Sequence, residues 1–523
     1  MTRPRWTLLV VCLATFMLLL DITVVNTALL DIQADLNASF TDLQWVVDAY
    51  ALTLAAFVLT AGSLGDLFGR RRVFVVGLAV FTAASLFCAL AATPLALNLA
   101  RALQGIGGAV MFAVSLALLA QEFRGRALTR ATGIYGATIG ASVAVGPLVG
   151  GALTESLGWE SIFLLNIPVG LLVIAATLAH VTESSDPHPR RLDWPGLLTF
   201  SAALGLLVLG LLRGNAEGWT SAAIVVTLTA SAALLVAFLI VEARSPEPML
   251  PLTLFRNSTF TGVQLAAFAI SASMLALFLY ITLYLQNILG LSPLAAGARY
   301  LPLTLVAFDV AGVVGAGLFG GSPRVLLTAG LGLVGLGLVL MRGVEAYGSW
   351  MTLVPGFLVA GAGLGVVNTV VADAALKVVP AERSGMASDI NDTFRQVGVT
   401  IGIALWGALF LAQAEDTIVA KAPATVGVDA AMAREMAEAA SSDNLDLAVA
   451  ALPPDVQDAM TQTAREGFVG GLNDILLWGG IVCFTGALLA LILVRDHALR
   501  AASRPPFALD PAAISPAPAA RAA

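Results

Sequence analysis

The sequence predicts an all-α integral membrane protein with fourteen spanning helices. Three observations carry that expectation. Of 523 residues, 58% are hydrophobic and only 12% charged, about half the charged share of a soluble domain. Apolar stretches recur from Trp6 almost to Val494, and each needs only about 20 residues to cross a bilayer. Arginines gather in alternate short loops, the bias that orients membrane helices.

Hydropathy places the spans at 6–29, 45–63, 73–93, 97–119, 131–153, 162–181, 195–213, 220–241, 260–287, 299–319, 325–343, 350–373, 394–412 and 472–494. The even number puts both termini on one face. One set of loops holds Arg70 to Arg72, Arg124, Arg126, Arg130, Arg190, Arg191, Arg244, Arg256, Arg324, Lys377 and Arg383. The other set holds little beyond Arg213 and Arg342. Both termini are therefore expected to be cytoplasmic.

The loop 413–470 is then external, partly helical and capped by Pro453 and Pro454. It holds ten acids and three bases. That acidity keeps the loop solvated, or gathers cationic solutes. The Ala- and Pro-rich tail after Arg500 is expected to be disordered.

Several classes are excluded. Cys12, Cys88 and Cys483 lie inside apolar spans, and His180, His188 and His497 lie at span ends or in loops. Neither a disulfide framework nor a metal site is expected, and no cofactor. No small-residue cleavage site follows the apolar run behind Arg3 and Arg5, so that run is not read as a signal peptide. No nucleic-acid footprint is present. Lys377 and Lys421 both lack a phosphate-loop context. The chain reads as no enzyme, and its energy must come from a gradient.

Two stretches echo one another. EFRGRALTRATGIYGATIG begins at Glu122 and AERSGMASDINDTFRQVGVTIG at Ala381. Both pass from an arginine-bearing turn into a glycine-containing span. Spans 1–6 and 9–14 then form two related halves around an inserted pair, an arrangement that makes a midplane site. The expected units are a six-helix bundle at 1–182, two inserted helices at 183–258, a second bundle at 259–496 and a tail at 497–523.

Charges inside spans point to chemistry. Asp21 lies in LDITVVNTALL, Leu20 to Leu30. A carboxylate there costs about 2.5–3.5 kcal/mol, so it must face a cavity or a partner. Asp48, in WVVDAYALTLAA, is either a helix N-terminal acid favoured by the dipole or a cation- or proton-handling acid at the outer mouth. Arg101, Gln104 and Gly105 share one helical face. The arginine needs an anion or carbonyls, and Asp21 or a carbonyl of the first span would serve. Asp309 has no base close in sequence, which suits reversible protonation or binding of a cation. Asp389 and Asp392 stand near Arg383 and Arg395, as a surface cluster or a cytoplasmic latch.

Glycines mark the seams. GATIGASVAVGPLVGG, Gly136 to Gly151, pairs Gly136 with Gly140 and Gly146 with Gly150 for close packing, and Pro147 removes a backbone donor. GSLGDLFGRRR, Gly62 to Arg72, sets Asp66 and three arginines at one membrane edge.

This last motif resembles the gating loop between the second and third spans of the major facilitator superfamily. LDITVVNTALL resembles the first-span signature of its fourteen-span drug:proton antiporters. The GP-x-x-GG run resembles the antiporter signature that marks exporters. WESIFLLNIPVG resembles the start of the sixth span, with Glu160 and Ser161 where Arg-Trp is usual. The second half fits loosely: GLFGGSPR, Gly317 to Arg324, has no acid corresponding to Asp66.

The resemblance implies a major facilitator fold in a 6+2+6 arrangement. It implies a monomeric, proton-coupled antiporter in the bacterial cytoplasmic membrane, exporting small hydrophobic, often cationic, compounds. Proton coupling then falls to Asp21, Arg101 and Asp309, and substrate binding to Asp309, Asp48, Asn26 and Gln104. The cytoplasmic gate is Gly62, Asp66, Gly69, Arg70 and Arg71. The antiporter motif is Gly140, Gly146, Pro147, Gly150 and Gly151. Phe112, Tyr135, Phe278 and Tyr280 are candidates to line the cavity. A dedicated exporter of one endogenous metabolite or antibiotic is the nearest alternative. A non-transporting scaffold or sensor is the next, and an uptake symporter is disfavoured by the Gly146–Pro147 run.

Overall fold

The computed structural model describes residues 2–123, 125–184, 192–315, 321–377, 379, 384–422, 429–441, 445–450 and 452–495. Within them every regular element is a helix. The first half comprises α1 (Arg3–Leu36), α2 (Phe40–Phe68), α3 (Arg70–Ala89), α4 (Pro94–Glu122), α5 (Gly125–Leu157), α6 (Glu160–Leu164) and α7 (Asn166–His180). The inserted pair is α8 (Trp194–Glu217) and α9 (Ala222–Arg244).

The second half opens with α10 (Ser258–Ile270) and α11 (Ala276–Leu283), joined by a π-helical turn over Ser271–Leu275. A second such turn covers Tyr284–Ile288. There follow α12 (Pro293–Arg299), α13 (Leu301–Gly315), α14 (Pro323–Leu340), α15 (Val354–Lys377) and α16 (Ser384–Lys421). The last are α17 (Ala430–Ala440), α18 (Leu445–Ala450) and α19 (Pro454–Leu493).

Local chemistry sets many helix starts. Thr93, Ser292 and Ser322 each cap a helix with a side-chain oxygen and precede a proline in the first turn. The cap satisfies an orphan amide, and proline occupies a position with no amide to lose. Ser39 and Asp42 form a reciprocal capping box at the start of α2. That start corrects the reading of Asp48 as an N-terminal acid. The helix begins at Phe40, so Asp48 lies more than two turns inside, and the first-turn acid is Asp42.

Eleven helices among the described residues are long and apolar enough to cross a membrane, or twelve with the α12–α13 pair, which bends by 41°. The halves meet where α2 packs on α16 and where α5 packs on α12 and α13. The inserted helices pack on each other, and α8 rests against α2 and α16. At 38 and 40 residues, α16 and α19 are about twice the length a span needs. Their extensions close on α17 around Ile418, Met436, Ala464 and Phe468, all buried. The segment 413–470 is thus largely helical where described, and α19 does start at Pro454.

Candidate functional site

A polar network lies inside the first half. Arg101 on α4 forms an ion pair with Asp21 on α1, and neither side chain is more than 2% exposed. Arg101 Nη1 bonds Asp21 Oδ2 and also donates to Gln104 Oε1 at 2.6 Å. Its Nε donates to the Val46 carbonyl of α2 at 3.0 Å. The other carboxylate oxygen, Oδ1, accepts from Gln104 Nε2 and Asn166 Nδ2, both at 2.9 Å. Gln104 also donates to Ser85 Oγ on α3 at 2.8 Å. The guanidinium lies over the Tyr50 ring, 4.4 Å from its centroid.

Charges buried this deeply persist because they are paired and hydrogen-bonded: Arg101 Nε and Nη1 and both Asp21 oxygens have partners. The expected partner of Arg101 is therefore present, together with a carbonyl of the second span in place of the first. Gln104, expected at the substrate, is fully buried in this network. Asn166 and Ser85 went unrecognised in the sequence. The available signal was Asn166 itself, a lone amide inside the apolar run FLLNIPVG.

A cavity of about 10 Å³ lies between the halves, lined by Thr23 and Asn26 of α1, Pro147 of α5, Phe278 and Thr282 of α11, and Tyr300. That is room for about one water molecule. Asn26, expected at the substrate, and Phe278, a candidate to line the cavity, both border it. Tyr280 instead donates to the Ile403 carbonyl at 2.6 Å. Phe112 and Tyr135 pack as a ring pair 6.5 Å apart.

Hydrogen bonds cross between the halves beside this cavity, toward the membrane edge opposite Arg70–Arg72. Gln286 donates to the Thr27 carbonyl at 3.0 Å. Gln44 donates to Tyr280 Oη at 3.0 Å. Glu155 accepts from Ser292 at 2.7 Å. The halves are latched at that edge.

The glycine run of α5 is a two-sided seam. Cβ atoms on Gly146 and Gly150 would collide with Thr23 and Thr27 of α1, and one on Gly151 with the Pro293 carbonyl of α12. Helix α5 continues through Pro147, whose carbonyl lies against Gly297. The environments of Asp66 and Gly140, and those of Arg124, Arg190, Arg191 and Arg383, lie outside the described residues.

The remaining acids are dispersed. Asp48 is fully buried, and neither of its carboxylate oxygens has a hydrogen-bond partner. It lines no open mouth in this conformation. Asp309 is exposed on the face of α13 that carries Leu305 and Phe308, and it does not line the cavity. Asp389 approaches Gly62 of α2: a Cβ there would stand 2.9 Å from its Oδ2. Arg395 donates to Asn368 Oδ1 at 2.8 Å.

The Arg70–Arg72 turn is held from an unexpected quarter. Gly69 has φ +98°, a conformation that favours glycine. Glu183, beyond α7, accepts from the amides of Arg71 at 3.0 Å and Arg72 at 3.2 Å. Ser184 offers its carbonyl to Arg70 N at 2.8 Å. Arg71 Nη1 reaches the Val181 carbonyl at 3.2 Å.

Comparison with known proteins follows the same line. A family model described as Major Facilitator Superfamily matches residues 11–403. The multidrug resistance protein Stp of Mycobacterium tuberculosis is 37% identical over 413 residues, 79% of this chain and 77% of its own. The tetracenomycin C resistance and export protein of Streptomyces glaucescens is 32% identical, covering 94% of this chain and 91% of its own. A bacterial homologue of the human lysosomal transporter Spinster, solved inward-facing and occupied, superposes with a TM-score of 0.63. It is 18% identical and covers 94% of this chain and 96% of its own.

Proposed function

Starting from the premise that the chain belongs to the Major Facilitator Superfamily, we propose that it is a proton-coupled antiporter that exports hydrophobic, often cationic, drugs. Relatives named for multidrug resistance and antibiotic export support the cargo class. The buried Asp21–Arg101 pair carries the coupling reading. A paired charge this deep in a membrane bundle is costly to keep and marks a proton relay more often than a strut.

In this reading Asp21 takes up a proton from the external side. The ion pair weakens, Arg101 turns to its carbonyl partner, and α1 and α4 shift relative to each other. Gln104 and Asn166 hold the carboxylate in position. Asn26 and Phe278 contact the cargo once the cavity between the halves opens. Asp48 and Asp309 receive cation or proton in conformations that expose them to the pathway. The gate is Gly62, Asp66, Gly69, Arg70 and Arg71 at the cytoplasmic edge, with both termini on that side. Fourteen spans follow if α2 and α5, at 29 and 33 residues, also cross.

A second reading has a specific observation behind it. Several relatives are named for a single antibiotic, tetracenomycin C among them. A dedicated exporter of one compound would keep the same coupling pair and have a narrower cavity chemistry.

Liposomes carrying the purified protein, a pH gradient, a lipophilic cationic dye and an internal pH probe test the proposal. Gradient-driven dye movement with counterflowing protons, abolished in Asp21→Asn, is expected. Dye movement that persists without proton flux would overturn the coupling. Movement of one antibiotic and of no dye would favour the dedicated exporter.

A further inference from the structure

The inserted helices hold a pair of buried acids outside the Asp21–Arg101 network. Asp193 caps α8, its Oδ1 accepting from the Gly196 amide at 2.9 Å. Glu242, in the last turn of α9, accepts from the Leu250 amide at 3.0 Å through Oε2. The remaining oxygens, Asp193 Oδ2 and Glu242 Oε1, are buried and have no hydrogen-bond partner. The two residues are 9% and 3% exposed.

Both free oxygens converge on Gly196. A Cβ there would stand 2.7 Å from Glu242 Oε1 and 3.0 Å from Asp193 Oδ2. Glycine leaves the space that the two carboxyls occupy. Two desolvated carboxylates so placed repel each other, and sharing one proton relieves both the repulsion and the missing bond.

The surroundings favour a proton over a metal ion. Arg244 and Glu247 border the groove that Asp193 also lines, and neither bonds the two free oxygens. Glu247 has a partner of its own. The foot of α2 contributes Thr60, which is uncharged. Among the described residues no group of three or more His, Cys, Asp or Glu could hold a metal ion, whereas a divalent cation takes about six or more oxygens.

The pair sits beside the linker that joins the inserted helices to the second half. Its Met249 accepts from the Thr60 hydroxyl of α2 at 3.8 Å. Met249, Leu250, Leu254 and Phe255 pack on a core that draws on both halves, Phe255 against Phe260 and Phe394.

We propose that Asp193 and Glu242 hold one proton between them, and that the protonated pair clasps the 245–257 linker to the inserted helices. The proton enters and leaves through the groove beside Asp193, and only an O–H bond forms or breaks. The shared proton belongs to the closed clasp, so the clasp tightens as pH falls. As pH rises the proton is lost, two like charges face each other, and the Leu250 amide is freed. The inference does not depend on what the chain transports.

Hydrogen exchange of the 245–257 linker in the full-length protein, corrected for intrinsic rates, tests it. Opening is expected to rise about tenfold per pH unit while the proton is lost. Glu242→Gln keeps the acceptor for Leu250 and donates permanently to Asp193, so its linker protection should lose this pH dependence. Asp193→Asn is the second variant should the first not fold. A protonated-carboxyl infrared band should vanish in either. An unchanged pH dependence and band in both variants would overturn the shared proton. So would protection that responds to magnesium alone at fixed pH in the wild type and not in Glu242→Gln.

Discussion

Asp21 and Arg101, 80 residues apart in sequence, meet as an ion pair whose side chains are at most 2% exposed. Three helices supply the groups that satisfy them, Gln104 from α4 itself, Asn166 from α7 and the Val46 carbonyl from α2, and Ser85 on α3 in turn accepts from Gln104 and Asn166. The pair therefore ties the first half together, and in the proposed antiporter its carboxylate is also the proton acceptor.

Breaking it from one side should reveal both roles. Removing one partner of a buried pair costs about 3–5 kcal/mol, because the other charge is left uncompensated. Asp21→Asn is expected to lower the thermal unfolding midpoint in detergent by several degrees and to abolish proton-coupled transport. The double variant Asp21→Asn/Arg101→Met should recover most of the midpoint and none of the transport. A purely structural pair would give recovery of both.

The α1–α5 seam makes a sharper steric prediction. Gly146→Ala places a methyl group inside the Thr23 side chain, and overpacking of this kind costs about 1–3 kcal/mol. Gly205→Ala on α8 has nothing within 4 Å of the added atom and is the matched control. Unfolding midpoints in detergent should fall for Gly146→Ala and hold for Gly205→Ala. Equal midpoints would mean the seam can part at little cost.

Residues that a membrane forbids unless paired were the legible ones. Asp21 and Arg101 stand out of apolar runs because a lone charge is costly there, and each implies the other. The glycines at 146, 150 and 151 were legible for a related reason: only close helix approach explains so many in one span. Neutral polar residues cost too little to announce themselves, so Asn166 and Ser85 stayed hidden. Asp48 was misplaced because hydropathy begins α2 at Trp45. The Ser39–Asp42 box marks the true start, five residues before the apolar run. Glu183 could not be read at all, since its cap on α3 spans 112 residues of sequence and depends on tertiary packing alone.

The latches between halves predict a measurable shift in conformation. Gln286 reaches the Thr27 carbonyl, and Gln44 reaches Tyr280. Each neutral hydrogen bond contributes about 1 kcal/mol, or about fivefold in the balance between closed and open forms. Gln286→Leu should therefore speed labelling of Asn26→Cys, in the closed cavity, by an impermeant maleimide about fivefold. Gln44→Leu should act similarly, and the pair together more strongly. Labelling rates that do not change would place the closure in the α5–α12 packing instead.

The last prediction concerns the arginine turn. Glu183 accepts from two amides at the start of α3 and also pairs with the Arg72 side chain at 3.6 Å. That ion pair is largely solvent-facing on the Arg72 side, 77% exposed, and contributes little. The amide contacts are the substantial part, and losing a helix cap costs about 1 kcal/mol. Glu183→Ala should raise hydrogen exchange at the Arg71 and Arg72 amides about fivefold and leave the Asp21–Arg101 region unchanged. Glu183→Gln keeps an acceptor oxygen and should lie between the two. If the turn gates transport, Glu183→Ala will also alter the transport rate without altering the proton-to-cargo ratio. A changed ratio would place Glu183 in coupling rather than in gating.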